Sequence, residues 1–276
     1  MNYKERQDII AKSPISFGYL KKFNIGAGTL HLVNGIAMLA LTFMLTWPSG
    51  TDIYTFYLSF AHVSPTNPAI YAFPNPQVVF TLNHLGALLA AFPLISAVAH
   101  FLIAFPKNKD YNEHLKKGIN PYRWYEYALS SSIMIWIIAT FVGIWDFWSL
   151  AMIFVLNAMM IMFGYLMELI NQKTEKTNWS SFILGCISGG FPWVVLFAYF
   201  GGAVASSEGS VPNFVYVIFA VYLVLFMSFA VNQVLQYRGI RKWKDYLYGE
   251  RMYIVLSFVA KTLLVWLVFA GLFNPF

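Results

Sequence analysis

Read for hydropathy alone, the chain divides into long apolar runs separated by short polar or Pro/Gly-rich breaks. Each run is about 20 residues or more, the length needed to carry an α-helix across roughly 30 Å of hydrocarbon. Seven such helices are predicted, over 24–46, 78–105, 121–144, 148–170, 181–204, 212–236 and 252–273. The pattern predicts an all-α membrane protein, a single seven-helix domain over residues 1–276 in direct contact with membrane lipid. No internal repeat of the kind that marks duplicated transporters is visible.

The longest connection, 48–77, breaks this pattern. It carries Tyr54, Phe56, Tyr57, Phe60, Tyr71 and Phe73 among several prolines, and its segment DIYTFYLSF is rich in β-forming residues. A short strand or β-hairpin between helices 1 and 2 is therefore expected. Its aromatics suit either the membrane interface or a subunit contact, which makes a homodimer plausible.

Composition agrees with the membrane reading: 59% of residues are hydrophobic and 11% charged. The N-terminal segment MNYKERQDIIAKSPISFGYLKK lacks the apolar core of a cleavable signal, so insertion is expected to rely on the first spanning helix. The lone cysteine, Cys186, permits no intrachain disulfide. The net charge of +6 could suggest an anionic partner such as nucleic acid, but its distribution points to topology instead. Basic residues fall before helix 1, between helices 2 and 3, between 4 and 5, and around the 6–7 connection. The alternate loops hold Asp52, Asp146 and Glu208 and neither Lys nor Arg. The positive-inside rule then puts the N-terminus in the cytoplasm and the C-terminus outside.

Lys261 is the one basic residue that this rule does not use. It lies in the middle of YIVLSFVAKTLLVWLVFAG, ten residues past Arg251 and so about 15 Å along a helix at ~1.5 Å per residue. A lysine at that depth costs at least ~2.5–3.5 kcal/mol, which marks it as functional: an ion or substrate ligand, a proton relay, or the amine of a Schiff base. It needs a carboxylate partner. Glu126, in NPYRWYEYALSSS, enters helix 3 about 7.5 Å below its start, with Ser130 one turn on, as Ser257 is one turn before Lys261. Glu168, followed closely by NQKTEK, is expected at the cytoplasmic interface. His31 and Asn34 in TLHLVNG, and Ser96 and His100 in LISAVAHF, suggest a polar pocket on the cytoplasmic side of Lys261. Asn157 in VLNAMM is a further polar residue inside a helix. Helix 3 beyond Ser132 reads IMIWIIATFVGI, and such a dry outer half argues against ion pumping. No nucleotide loop, nucleophile triad or metal-ligand spacing points to an enzyme.

The segments HLVNG, RWYEYALSSS, LGCISGGFPW and GERMYIVLSFVAK together resemble the heliorhodopsins, seven-helix retinal proteins of inverted membrane orientation, over nearly the whole chain. The resemblance implies all-trans retinal bound to Lys261 as a protonated Schiff base, with Glu126 as counterion and Ser257 and Ser130 beside it. His31, Asn34, Ser96 and His100 would form the cytoplasmic cavity, and Asn157, Trp193 and Trp266 would line the chromophore. Ser257 and Ile137 stand where ion pumps keep carboxylates. Met159, Met160, Phe191, Phe226 and Phe229 supply an aromatic and Met-rich interior, and Pro192 a bend. A light sensor is the leading expectation: all-trans to 13-cis isomerisation, transient proton release towards the His31/His100 cavity, and readout by an unidentified cytoplasmic partner. A light-driven or light-gated ion transporter, and a retinal-free transporter using the Lys261/Glu126 pair, are the alternatives.

Overall fold

The computed structural model describes residues 3–46, 50–65, 67–207, 211 and 213–273. Glu208 and the last three residues of the C-terminal segment lie outside this set, as do the first residues of the 48–77 connection. The chain folds into long helices packed as a bundle, with a two-stranded antiparallel hairpin in the connection expected to carry one. The long helices are α2 (Phe17–Met44), α3 (Leu85–Ala104), α5 (Pro121–Phe141), α6 (Phe147–Ile170), α7 (Ser180–Ser206), α8 (Asn213–Arg238) and α9 (Tyr246–Phe273). Two short helices, α1 (Tyr3–Ala11) and α4 (Asn108–Lys116), were not expected from hydropathy, being too polar to span. Among the described residues, six helices are long and apolar enough to cross a membrane by themselves. The remaining long helix, α5, is excluded by its first two turns, PYRWYE, which carry Arg123 and Glu126.

Helix starts follow local chemistry. Asn120 caps α5 through its side-chain oxygen, which accepts from Arg123 N, and Pro121 occupies the first turn. Asp146 caps α6 by accepting from Ser149 N at 2.7 Å. Gly118, at φ +70°, ends α4 in the left-handed region that glycine adopts without strain.

The hairpin is longer than expected and corrects one helix boundary. Strands β1 (Thr51–Ser64) and β2 (Asn67–Leu82) pair from Thr51↔Leu82 to Ser64↔Asn67. Residues 78–82, VVFTL, therefore belong to a strand and not to the second spanning helix. Only Asn83 and His84 separate this segment from the apolar run of α3, but its β-branched and aromatic residues find cross-strand partners. Tyr54 N donates to Trp145 O at 2.8 Å and Ile53 is buried, so the hairpin is fastened to the start of α6.

Two cores divide the bundle lengthwise. Towards the hairpin, Ile135, Ile137 and Ile138 of α5 pack against Leu264, Val265 and Val268 of α9 with Leu89, Leu150 and Leu196. At the opposite end Ile10, Tyr111 and Leu115 of the short helices pack on Leu20, Ile103, Tyr246 and Leu247. This second end carries the basic residues of the short helices and of the 241–244 turn, and is called the basic end below. Trp124, Tyr127 and Tyr253 form a third, aromatic cluster.

Candidate functional site

Lys261 is 3% exposed, and its ammonium has two polar partners. Nζ lies 2.5 Å from Glu126 Oε1 and donates to Ser96 Oγ at 2.5 Å. Ser96 Oγ in turn donates to Glu126 Oε1 at 2.6 Å, closing a triangle of amine, hydroxyl and carboxylate. The depth gap of about 7 Å estimated from helix positions is thus closed by the lysine stem and helix packing. The pair is also held by the Tyr127 ring, whose centroid is 5.1 Å from Nζ. Ser96 was expected in the polar pocket with His100. It belongs instead to the ion pair.

Ser130 and Ser257 are both buried here, as their one-turn spacing predicts. Ser130 Oγ approaches Glu126 and Ser257 Oγ approaches the Tyr127 hydroxyl, yet neither makes a hydrogen bond of good geometry. His31 stacks on His100 with ring centroids 5.5 Å apart, and its two ring nitrogens lack protein partners among the described residues. Buried polar atoms of this kind call for water or a further group. His100 Nδ1 is 2.7 Å from Asn24 Oδ1. Asn34 points elsewhere: it donates to Thr262 and accepts from the Trp266 indole at 2.9 Å, on the outer side of α9.

Beside Lys261 lies an apolar cavity of about 50 Å³, lined by Tyr127, Met134, Met160, Phe226, Phe229 and Leu264 among others. A second, of about 80 Å³, shares Tyr127, Met160, Phe226 and Phe229 with it and continues to Trp124, Gly185 and Cys186. Met160 and Phe226, expected in an aromatic and Met-rich interior, line both cavities. Trp193 stands behind Phe226 at 5.4 Å between ring centroids. Asn157 donates to Ser131 and Ser132, and Ser131 lines the first cavity. Trp266, 37% exposed and tied to Asn34, does not reach the cavity. Phe191 and Met159, 59% and 45% exposed, face outward, because α6 and α7 turn only one face inward.

These residues fit a polyene aldehyde: an enclosed amine, a single adjacent carboxylate and a cavity walled by aromatic and thioether side chains. A drug-sized ligand needs ~300 Å³ or more, so the shared walls must part. Met160 is suited to this, being unbranched and flexible. Gly189 gives it room, since a Cβ there would collide with Met160 Sδ.

A second charged cluster was missed by sequence reasoning. Arg123 NH2 donates to Glu168 Oε1 at 2.5 Å and NH1 to Glu250 Oε2, while the guanidinium covers the Tyr253 ring at 4.0 Å. Glu168 is not at the interface as expected; it is fully buried, and Glu250 is 1% exposed. Arg123 lies in the first turn of α5, beside the basic connection between helices 2 and 3, and α9 starts at Tyr246 instead of 252, which brings Glu250 inside. The available signal was spacing: Arg123 precedes Glu126 by three residues and shares its face.

A comparison with curated proteins found no match. The model of the heliorhodopsin family, however, matches residues 20–273. That span runs from α2 to the end of α9 and takes in the Lys261/Glu126 pair, the cavity and the Arg123 cluster. This multi-pass membrane protein therefore belongs to the heliorhodopsin family, the retinal-binding, non-enzymatic photoreceptors among the microbial rhodopsins.

Proposed function

We propose that the protein is a light sensor that cycles without net ion transport. All-trans retinal, held on Lys261 as a protonated Schiff base, supplies light absorption and the change of shape to 13-cis. Glu126 balances the positive charge at Nζ, and Ser96 fixes the carboxylate by donating to the same oxygen that faces the lysine. Tyr127, Met160, Phe226 and Phe229 exclude water from the cavity beside it. A proton leaving Nζ has Glu126 as its nearest acceptor and the stacked His31/His100 pair next, with His100 one turn along α3 from Ser96.

The observation that carries the reading is the one-sidedness of the polar groups. Towards the basic end lie His31, His100 and Asn24; towards the hairpin lie Ile135, Ile137, Ile138, Leu264 and Val268, a dry core. A pump needs titratable or hydrated stations on both sides of its switch. The loop charges support a cytoplasmic basic end, where a signalling partner would read helix movement, and a C-terminus outside. Exposed Phe56, Tyr57 and Phe60 on β1 support a homodimer joined at the hairpins.

The test is reconstitution of the purified chain with all-trans retinal, with Lys261→Ala alongside. A visible band that requires both retinal and Lys261 is expected. A light-induced pH change in sealed vesicles, abolished by a protonophore, would refute the absence of net transport.

A further inference from the structure

The Arg123 cluster has a charge imbalance. It holds one cation and two carboxylates, with side chains 4%, 0% and 1% exposed, so its formal charge is −1. The other titratable groups facing it are the Tyr111 hydroxyl on α4, Tyr246 and Tyr253 on α9 and Tyr237 on α8. Arg6 of α1 is a further buried cation at this end. Its guanidinium lies over the Tyr237 ring at 4.8 Å, and no ion pair joins it to either carboxylate among the described residues. A lone negative charge in so dry an environment is relieved most cheaply by a proton.

The hydrogen bonds indicate which carboxylate takes it. Each Glu168 oxygen already receives two donors. Oε1 accepts from Arg123 and Tyr246, and Oε2 from the Trp124 indole and the Asn120 main-chain N–H. Three of these donors are N–H groups that cannot reverse, and the fourth, the Tyr246 hydroxyl, shares Oε1 with Arg123, where an acid proton would face the guanidinium; at Glu250 Arg123 binds Oε2 and leaves Oε1 free of it. Glu250 Oε1 accepts from Asn120 Nδ2 at 2.7 Å and from the Tyr111 hydroxyl at 3.1 Å. A hydroxyl can turn and accept.

We propose that Glu250 is a protonated carboxylic acid in the resting protein, donating towards Tyr111, while Glu168 stays ionised against Arg123. The site holds a proton of its own, besides the one shared by the Lys261/Glu126 pair. Tyr111 OH also accepts from Asn24 Nδ2 at 3.4 Å, and Asn24 Oδ1 meets His100. Among the described residues, the hydrogen-bonded route from Tyr111 to His100 runs through the Asn24 amide, which passes no proton by itself, so the acid is stored apart from the ion pair. This inference does not rest on the chromophore.

Infrared spectroscopy of the full chain without retinal tests it. Glutamate is labelled with carbon-13, and spectra are taken at mildly alkaline pH, where exposed carboxyls are ionised. The wild type should show a carboxylic acid C=O stretch that shifts with the label. Glu250→Gln should abolish it, and so should Glu168→Gln, because Arg123 then pairs with an ionised Glu250. Tyr111→Phe, the mildest change, should move its frequency without removing it. A wild type lacking the band overturns the proposal, as does a band surviving in either glutamine variant or unmoved by Tyr111→Phe.

Discussion

Removing Arg123 is predicted to cost the fold heavily. Arg123→Met keeps the stem that packs beside Trp124 and Tyr253 but leaves Glu168 and Glu250 without their cation. Breaking a buried pair by deleting one partner costs ~3–5 kcal/mol, and with Glu250 neutral one uncompensated carboxylate remains, Glu168. At ~1.4 kcal/mol per decade this is a loss of about two to three and a half decades in the folding equilibrium. Unfolding in mixed micelles of increasing denaturing-detergent content, followed by helical circular dichroism, measures it. Adding Glu168→Gln to Arg123→Met should recover most of the loss, since the buried charge goes with it. A loss below about 1 kcal/mol, or no recovery in the double variant, would refute the charge-balance reasoning.

Three smaller changes probe other parts of the molecule. Gly189→Ala should push Met160 into the cavity beside Lys261 and lower the visible absorbance regained with retinal per mole of protein. Met160→Ala in the same chain should restore it. Trp266→Phe should leave the position of the visible band unchanged, because the indole is tied to Asn34 on the outer side of α9; a shifted band would place it at the chromophore after all. Outside the membrane, the hydrogen bond from the Tyr122 hydroxyl holds the Asp110 carboxyl below its ordinary range. A depressed carboxyl stabilises the fold above its unfolded value and loses that contribution as pH falls through the folded one. In Tyr122→Phe, nuclear magnetic resonance titration of Asp110 should show its midpoint moving up towards the ordinary value.

What could be read from the sequence depended on whether the signal was local. Lys261 and Glu126 stood out because an ionisable residue inside an apolar run is conspicuous whatever surrounds it, and the two do meet. Ser130 and Ser257 followed from helical spacing. The strand at 78–82 did not, since apolarity alone cannot separate a β-run from the helix it leads into. Glu168, Glu250 and Arg123 sit near helix ends, where a charge is expected to be solvated. The short polar helices α1 and α4 pack across that end and close it off, α4 through Tyr111. The outward direction of Trp266, Phe191 and Met159 depends on how each helix is rotated in the bundle, which composition does not encode.

The polar start of α5 has a consequence for how the protein is made. Glu126 leaves the ribosome 135 residues before Lys261, and Arg123 leaves it 127 residues before Glu250. At about 5–20 residues per second the interval is on the order of ten seconds. During it the least apolar long helix must reside in or beside the membrane without Glu250 and Lys261. Glu168, which arrives only 45 residues after Arg123, is its first electrostatic companion. The α5–α6 pair is therefore the first unit that gives α5 a counter-charge, and truncation before α9 should leave α5 dependent on the insertion machinery.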